Sequence, residues 1–318
     1  MKFFRIMCCH LAAGIFLSGC STASSIESAK IPEYTVLENA GGWLAYAARK
    51  TAKDQYEIFV YDFDTRQSTQ LTDNGFADIS PNWSADGQKI VYASNVNGIY
   101  QIFTMNADGS NQVQLISSKT DDTQPAWQPS LYAASRVSFQ NNGNGDFDIY
   151  IYGLADKTSR SITSADSQET QAAWSPDGRR IAFVSNNDGD FDIYTMDEEG
   201  RETTKLTQNA DYDSSPAWSP NGEKIAFISK RGSDQHFQLF TMNADGSQET
   251  QITQSDFTIT SPVWSPDGKI IAFISESSQG SLILAIDLET RKTYQVTGGF
   301  YDYAGLSWIG KPNPASGN

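Results

Sequence analysis

Residues 172–185 read Ala172-Ala173-Trp174-Ser175-Pro176-Asp177-Gly178-Arg179-Arg180-Ile181-Ala182-Phe183-Val184-Ser185, and close copies of this stretch recur along the chain. PAWSPNGEKIAFIS starts at Pro216, PVWSPDGKIIAFIS at Pro262 and PNWSADGQKIVYAS at Pro81. The tryptophans of this unit stand at 83, 127, 174, 218, 264 and 308, so the spacings are 44, 47, 44, 46 and 44. A fixed period near 45 residues marks repeated copies of one supersecondary unit, and it overrides the two-domain expectation that 318 residues would otherwise raise.

Punctuation divides each unit into four short strands. The first carries the Trp; Ser-Pro-Asp-Gly or Ser-Pro-Asn-Gly then supplies Pro for the second turn position and Gly where a positive φ is needed. The second strand, as in Ile181 to Ser185 or Ile225 to Ser229, is apolar at successive positions, the pattern of a strand covered on both faces. A third strand follows a polar loop (Ile102-Phe103-Thr104-Met105, Ile193-Tyr194-Thr195-Met196, Leu239-Phe240-Thr241-Met242), and a second Gly-bearing turn leads to a short outer strand ending in Leu71-Thr72, Leu206-Thr207 or Ile252-Thr253. Four strands at this period predict an all-β chain built as a β-propeller.

Counting blades shows how the ring shuts. Trp43-Leu44-Ala45-Tyr46 aligns with a second strand and lacks a first; Leu306-Ser307-Trp308-Ile309 is a first strand with nothing after it. Pairing the C-terminal strand with the N-terminal blade removes the open sheet edge at the seam and gives six blades over residues 41–310, followed by a tail, 311–318. In the third unit the first turn, from Gln128 to Arg136, is three residues longer and lacks Asp-Gly, which predicts an outward bulge.

Ahead of the repeats, Lys2 and Arg5, an apolar run from Ile6 to Phe16 and Leu17-Ser18-Gly19-Cys20 have the layout of a secretory signal over residues 1–19. The small residues before Cys20 are similar to a bacterial lipobox, which would lipidate Cys20, and Ser21 in place of Asp favours the outer membrane. Removal of that signal would leave Cys20 as the one cysteine, so the fold must rest on its core rather than on disulfides. Residues 21–40 read as a flexible tether with a reach of about 65 Å. Beyond position 19 the chain has 21 basic against 38 acidic residues, a net charge of −17 that argues against nucleic acid as a partner.

The units Pro-x-Trp-Ser-Pro-Asp-Gly-x-x-Ile-Ala-Phe and Ile-Tyr-x-Met-x-x-Asp-Gly resemble the WD40-like repeats of the TolB family, over nearly all of the chain after residue 40. The resemblance implies a six-bladed propeller closed by strands from both termini and a periplasmic role beside the Tol-Pal machinery. It also implies an envelope protein as partner, the peptidoglycan-associated lipoprotein being the family's. Two departures stand out: no N-terminal α/β domain precedes the repeats, and the chain reads as lipid-anchored, bound to the membrane through that anchor only. The expectation is a monomeric, non-enzymatic scaffold with no cofactor and no metal. The alternative is a carbohydrate-active or peptidoglycan-modifying enzyme using carboxylates at the channel mouth.

The repeat tryptophans read as spacers between blades rather than a ligand cage. The residues expected to meet a partner lie five places before each Trp, at one mouth of the channel: Asp78, Asp122, Glu169 and Asp213, with Ile259 and Tyr303 in the remaining blades. Four carboxylates there would attract a basic loop or a cation, or else cap turns. Ser80, Thr123, Thr170, Ser214, Ser215 and Thr260 add hydroxyls. The loops Asp146-Phe147-Asp148 and Asn186-Asn187-Asp188-Gly189-Asp190-Phe191-Asp192 look superficially like calcium loops but lack the Glu at the twelfth place, so no metal is expected. Beyond the signal the one histidine is His236, too few for a multi-His metal site.

Overall fold

The computed structural model describes residues 35–37, 40–129, 136–143, 145–163, 166–209, 211–231, 236–278, 280–297 and 301–311. Among them the strands form six sheets, each of four antiparallel strands, with a fifth strand added to one. Blade four shows the pattern: Glu169–Trp174, Arg180–Ser185, Asp192–Asp197 and Thr204–Lys205 lie side by side in chain order. The second strands are buried almost throughout, as their two-faced apolar sequence requires, and the fourth are short and exposed.

Local chemistry explains the repeat unit. In the first turn Ser175 Oγ donates to Asp177 Oδ1 at 2.6 Å and accepts from the Arg180 amide at 2.9 Å, while Gly178 sits at φ 70°. The Thr that ends the outer strand in four of the blades is a clip: Thr207 Oγ1 accepts from the Ile193 amide at 3.0 Å and donates to Asp192 Oδ1 at 2.9 Å. Thr72, Thr163 and Thr253 repeat that pair of bonds in blades one, three and five. The tryptophans fill the gaps between blades. Trp218 and Trp264 each donate an indole N–H to the first strand of the preceding blade, at the carbonyls of Ala173 (3.2 Å) and Ala217 (3.0 Å).

The seam closes where the sequence predicts. Asp302–Ile309 pairs antiparallel with Trp43–Arg49, setting Trp308 opposite Leu44. Trp308 stacks on Phe63 with centroids 4.4 Å apart and donates to the Gly41 carbonyl at 3.0 Å. Trp43, paired with Ile309 at the seam, lies against Trp83 of the next blade, centroids 5.8 Å apart. The fold also reaches upstream of Gly41: Thr35–Val36 adds a parallel strand outside Thr293–Gln295 of blade six, and Leu37 is buried. Both ends of the ring therefore bridge blades six and one. Cys20, the proposed signal, the bulk of the 21–40 tether, the tail beyond Lys311 and the enlarged turn of blade three all lie outside the described residues.

Candidate functional site

The first strands of all six blades surround a central channel with two chambers of about 590 Å³ each. One opens among the Ser-Pro-Asp-Gly turns; its wall includes Pro81, Pro125, Pro216, Pro262 and Leu306, rigid and mainly apolar. The other opens where the first strands begin and the loops between second and third strands cross. We call these the hairpin mouth and the aromatic mouth.

Between them each first strand bulges. The residue three before the Trp adopts a left-handed φ in every blade: Ser80 (53°), Gln124 (49°), Gln171 (56°), Ser215 (53°), Ser261 (50°) and Gly305 (64°). Register shifts accompany all six. A left-handed non-glycine residue costs on the order of 1 kcal/mol and persists only where the surroundings impose it. Here they do so partly through side chains of the neighbouring blade. Gln140 Oε1 accepts from the Gln171 amide at 3.3 Å, and Gln171 Oε1 accepts from the Ser215 amide at 2.6 Å. The ring of bulges is the channel's waist, with Gln124, Gln171, Ser215, Thr260 and Glu276 facing both chambers.

The bulge corrects the expectation for the carboxylates. Asp78, Asp122 and Asp213 are fully buried, Glu169 is 3% exposed, and Ile259 and Tyr303 are equally enclosed. Asp78, Asp122, Asp213 and Glu169 face into the blades, opposite Ser94, Asn141, Ser229 and Ser185 respectively on the second strands, whereas Tyr303 borders the chamber at the hairpin mouth. Asn74 Nδ2 donates to Asp78 at 2.8 Å, Asn141 Nδ2 to Asp122 at 2.6 Å and Asn209 Nδ2 to Asp213 at 2.9 Å; Ser167 and Ser185 (2.9 Å) donate to Glu169. Desolvation raises all four carboxyls above their ordinary range, Asp122 to about 6. They anchor the loops that enter the first strands, so no basic loop or cation reaches them from the channel. Of the hydroxyls expected nearby, Ser80, Thr170, Ser214, Ser215 and Thr260 line the channel, whereas Thr123 is buried and accepts from Gln140 Nε2 at 2.9 Å.

Ahead of the third strands runs a set of aromatics that the sequence pattern did not single out, and three of them face the mouth. Tyr56, Tyr100, Phe147, Phe191 and Phe237 each stand directly before a third strand. Their carbonyls accept from the amides of Asp78, Asp122, Glu169, Asp213 and Ile259 in the next blade, at 2.7–2.9 Å. Five aromatics recurring at one place in the repeat were the available signal. Phe147, Phe191 and Phe237 line the chamber with Tyr212 and Phe257. Charge there is sparse and mixed: Lys230, His236, Asp256 and Glu276, with His236 Nδ1 3.4 Å from Thr258 Oγ1 and Thr260 Oγ1 donating to Glu276 at 3.2 Å.

In the loop that resembles a calcium site, Asp188, Asp190 and Asp192 do converge, with their nearest oxygens within 4.8 Å of one another. Lys205 already meets this charge: its ammonium pairs with Asp188 and, at 2.7 Å, with fully buried Asp192, and both pairs hold the Lys205 pKa above its ordinary value. In blade three Asp148 is occupied with Thr163, at 2.9 Å.

Residues 100–309 match the model of the TolB beta propeller domain family. Among curated proteins, the Tol-Pal system protein TolB of Nitrosospira multiformis is 33% identical over 76 residues, which is 24% of this chain and 17% of that protein's length. The chain thus matches about a sixth of that relative. Among solved structures, TolB from Acinetobacter baumannii superposes with a TM-score of 0.73 at 21% identity, over 85% of this chain and 67% of that one. An oligogalacturonate lyase in complex with manganese superposes with a TM-score of 0.54 at 15% identity, over 81% of this chain and 74% of that one. At these identities the structural likeness concerns the fold alone.

Proposed function

Because the chain belongs to the TolB beta propeller domain family, we propose that it is a non-enzymatic scaffold of the cell envelope that binds another envelope protein through the aromatic mouth. One observation carries this reading: the repeated carboxylates are withdrawn into the blades, and the mouth in front of them presents amides, hydroxyls and rings. Such a lining suits contact, and its few titratable groups, Lys230, His236, Asp256 and Glu276, do not recur from blade to blade as the buried carboxylates do. The buried acids serve the interface indirectly by holding its loops. The partner is an envelope protein of the peptidoglycan-associated lipoprotein class, a choice that rests on the family alone.

In the same reading Cys20 carries lipid and the protein is tethered in the periplasm at the outer membrane. Thr35–Val36 docks on blade six, so the tether expected over residues 21–40 is shortened at its C-terminal end. Replacing Cys20 with Ser is expected to release the protein from sedimented membranes; unchanged sedimentation would count against the anchor.

The test is capture from solubilised envelope with the wild type, with Lys230→Glu at the aromatic mouth and with Ala85→Arg at the hairpin mouth. Wild type and Ala85→Arg should recover the same protein and Lys230→Glu should lose it. Equal recovery by all three would sink the aromatic mouth as the interface.

A further inference from the structure

Behind the rim, the aromatic-mouth chamber has features that a protein partner's rim contact does not call for. Phe191 and Tyr212 lie with ring centroids 4.9 Å apart at 48°, and Tyr212 and Phe237 lie 5.5 Å apart at 76°. These three rings form one continuous array across blades four and five, and all of them face the chamber. The same chamber is also lined by the planar amides of Gln140, Gln168 and Gln171 and by the hydroxyls of Thr170 and Ser214.

We propose that this chamber binds an uncharged oligosaccharide segment, its sugar rings against the Phe191–Tyr212–Phe237 array and its hydroxyls toward the glutamine amides. The C–H faces of a pyranose ring are apolar and flat, which aromatic rings cover, and its rim of hydroxyls needs paired donors and acceptors, which amides supply. A volume of about 590 Å³ falls within the range of small-molecule sites and holds roughly two or three sugar residues.

Three observations choose this ligand over others. The chamber's charges are two acids, one lysine and a histidine, on a chain that is acidic overall, so an anionic glycan gains nothing there. An extended peptide would pair with backbone groups, yet first-strand amides at this mouth are already taken: Glu169 N by the Phe147 carbonyl at 2.7 Å, Asp213 N by Phe191 at 2.8 Å and Ile259 N by Phe237 at 2.9 Å. Those same bonds fix the backbone that carries the rings, and the ring–ring contacts order the rings among themselves. Gln140 and Gln171 are fixed too, since each holds the bulge of the following blade. A preformed site loses little freedom on binding. The inference goes beyond the scaffold reading, because the chamber takes this ligand whether or not a protein covers the rim.

The experiment is calorimetric titration of the purified protein, without any partner, with chitotetraose, cellotetraose and an oligogalacturonate. Saturable binding of a neutral oligomer is expected, with the anionic one at least about tenfold weaker, a difference of about 1.4 kcal/mol. Phe191→Ala and Phe237→Ala should each weaken the neutral ligand by about tenfold or more, while Ala85→Arg at the hairpin mouth leaves it unchanged. Should the Phe variants not fold, saturation transfer on the wild type gives the answer: ligand protons must receive magnetisation from aromatic ring protons. No saturable binding of either neutral oligomer at concentrations up to about 10 mM overturns the proposal. So does binding that Phe191→Ala and Phe237→Ala leave intact. Capture of an envelope protein that disappears in those variants, with no glycan bound by the wild type, would assign the chamber to the protein interface instead. Capture that every mouth variant leaves unchanged, with glycan bound by the wild type and lost in Phe191→Ala and Phe237→Ala, would fail the scaffold reading alone.

Discussion

Arg49 Nε donates to Asp302 Oδ2 at 3.0 Å, an ion pair between residues 253 positions apart that sits where the second strand of blade one meets the chain's last strand. The side chains are 26% and 33% exposed, so the pair marks the closure more than it secures it. The seam is held by what lies deeper: the Trp308–Phe63 stack, the indole bond to Gly41 and Ser307 Oγ accepting from the Trp83 amide at 3.1 Å.

Trp308→Ala should therefore destabilise the protein by about 3–5 kcal/mol, and Arg49→Ala by about 1 kcal/mol or less. Urea denaturation followed by tryptophan fluorescence for Arg49→Ala, and by far-UV circular dichroism for both, measures the contrast. Similar losses for the two would show that the seam depends on the ion pair.

Gly200 and Gly98 both have positive φ, 83° and 85°, but only one is enclosed. A Cβ on Gly200 would stand 2.1 Å from the Ile162 carbonyl oxygen of the neighbouring blade, whereas one on Gly98 would meet nothing within 4 Å. Gly98→Ala should cost about 1 kcal/mol, for the left-handed backbone alone, and Gly200→Ala clearly more, because two blades must separate. Thermal melts of the two variants decide it; equal shifts in Tm would contradict the packing of that turn.

Asp122 has its folded pKa pushed up to about 6 by burial, above the ordinary carboxylate value. Between roughly pH 4 and 6 the folded state keeps a proton that the unfolded state gives up, so this group's contribution is fully present below pH 4 and is lost as pH rises through 6. Asp122→Asn removes the dependence. The stability of the wild type relative to Asp122→Asn should fall by on the order of 2 kcal/mol from pH 4 to pH 7. A difference that stays flat, or rises with pH, would mean that Asp122 is not desolvated.

Lys205 supplies the counter-charge for buried Asp192 and for Asp188. Lys205→Met should lower Tm by leaving those carboxylates uncompensated, and millimolar calcium should restore part of the loss in the variant while leaving the wild type unmoved. A wild type that calcium stabilises equally would show that the lysine does not fill the cation's place.

The ring was legible because Trp174 and its copies repeat at a nearly constant interval and because Trp43 and Trp308 head complementary fragments of one blade. The direction of Asp78, Asp122, Glu169 and Asp213 was not. Counting back from the Trp assumes unbroken alternation, and the bulge at Ser80, Gln124, Gln171 or Ser215 inserts one residue, which turns everything before it to the other side. The same strand that announced the fold thus concealed which side chains reach the channel. Phe191 and Phe237 differ in kind: an aromatic before a strand reads as ordinary core, and only the closed ring, with their backbone tied to Asp213 and Ile259 of the next blade, puts them on the wall of an opening. Thr35–Val36 had no pattern to follow, since two residues cannot display a period.

The central claim, that the aromatic mouth is the contact surface, is tested most directly by site-specific photo-crosslinking in intact cells. A photoreactive side chain at Phe257, beside the aromatic chamber, should yield a discrete cross-linked product with one envelope protein, and the same group at Ala85, on the hairpin mouth, should yield none. A product from Ala85 with silence at Phe257 would contradict the account.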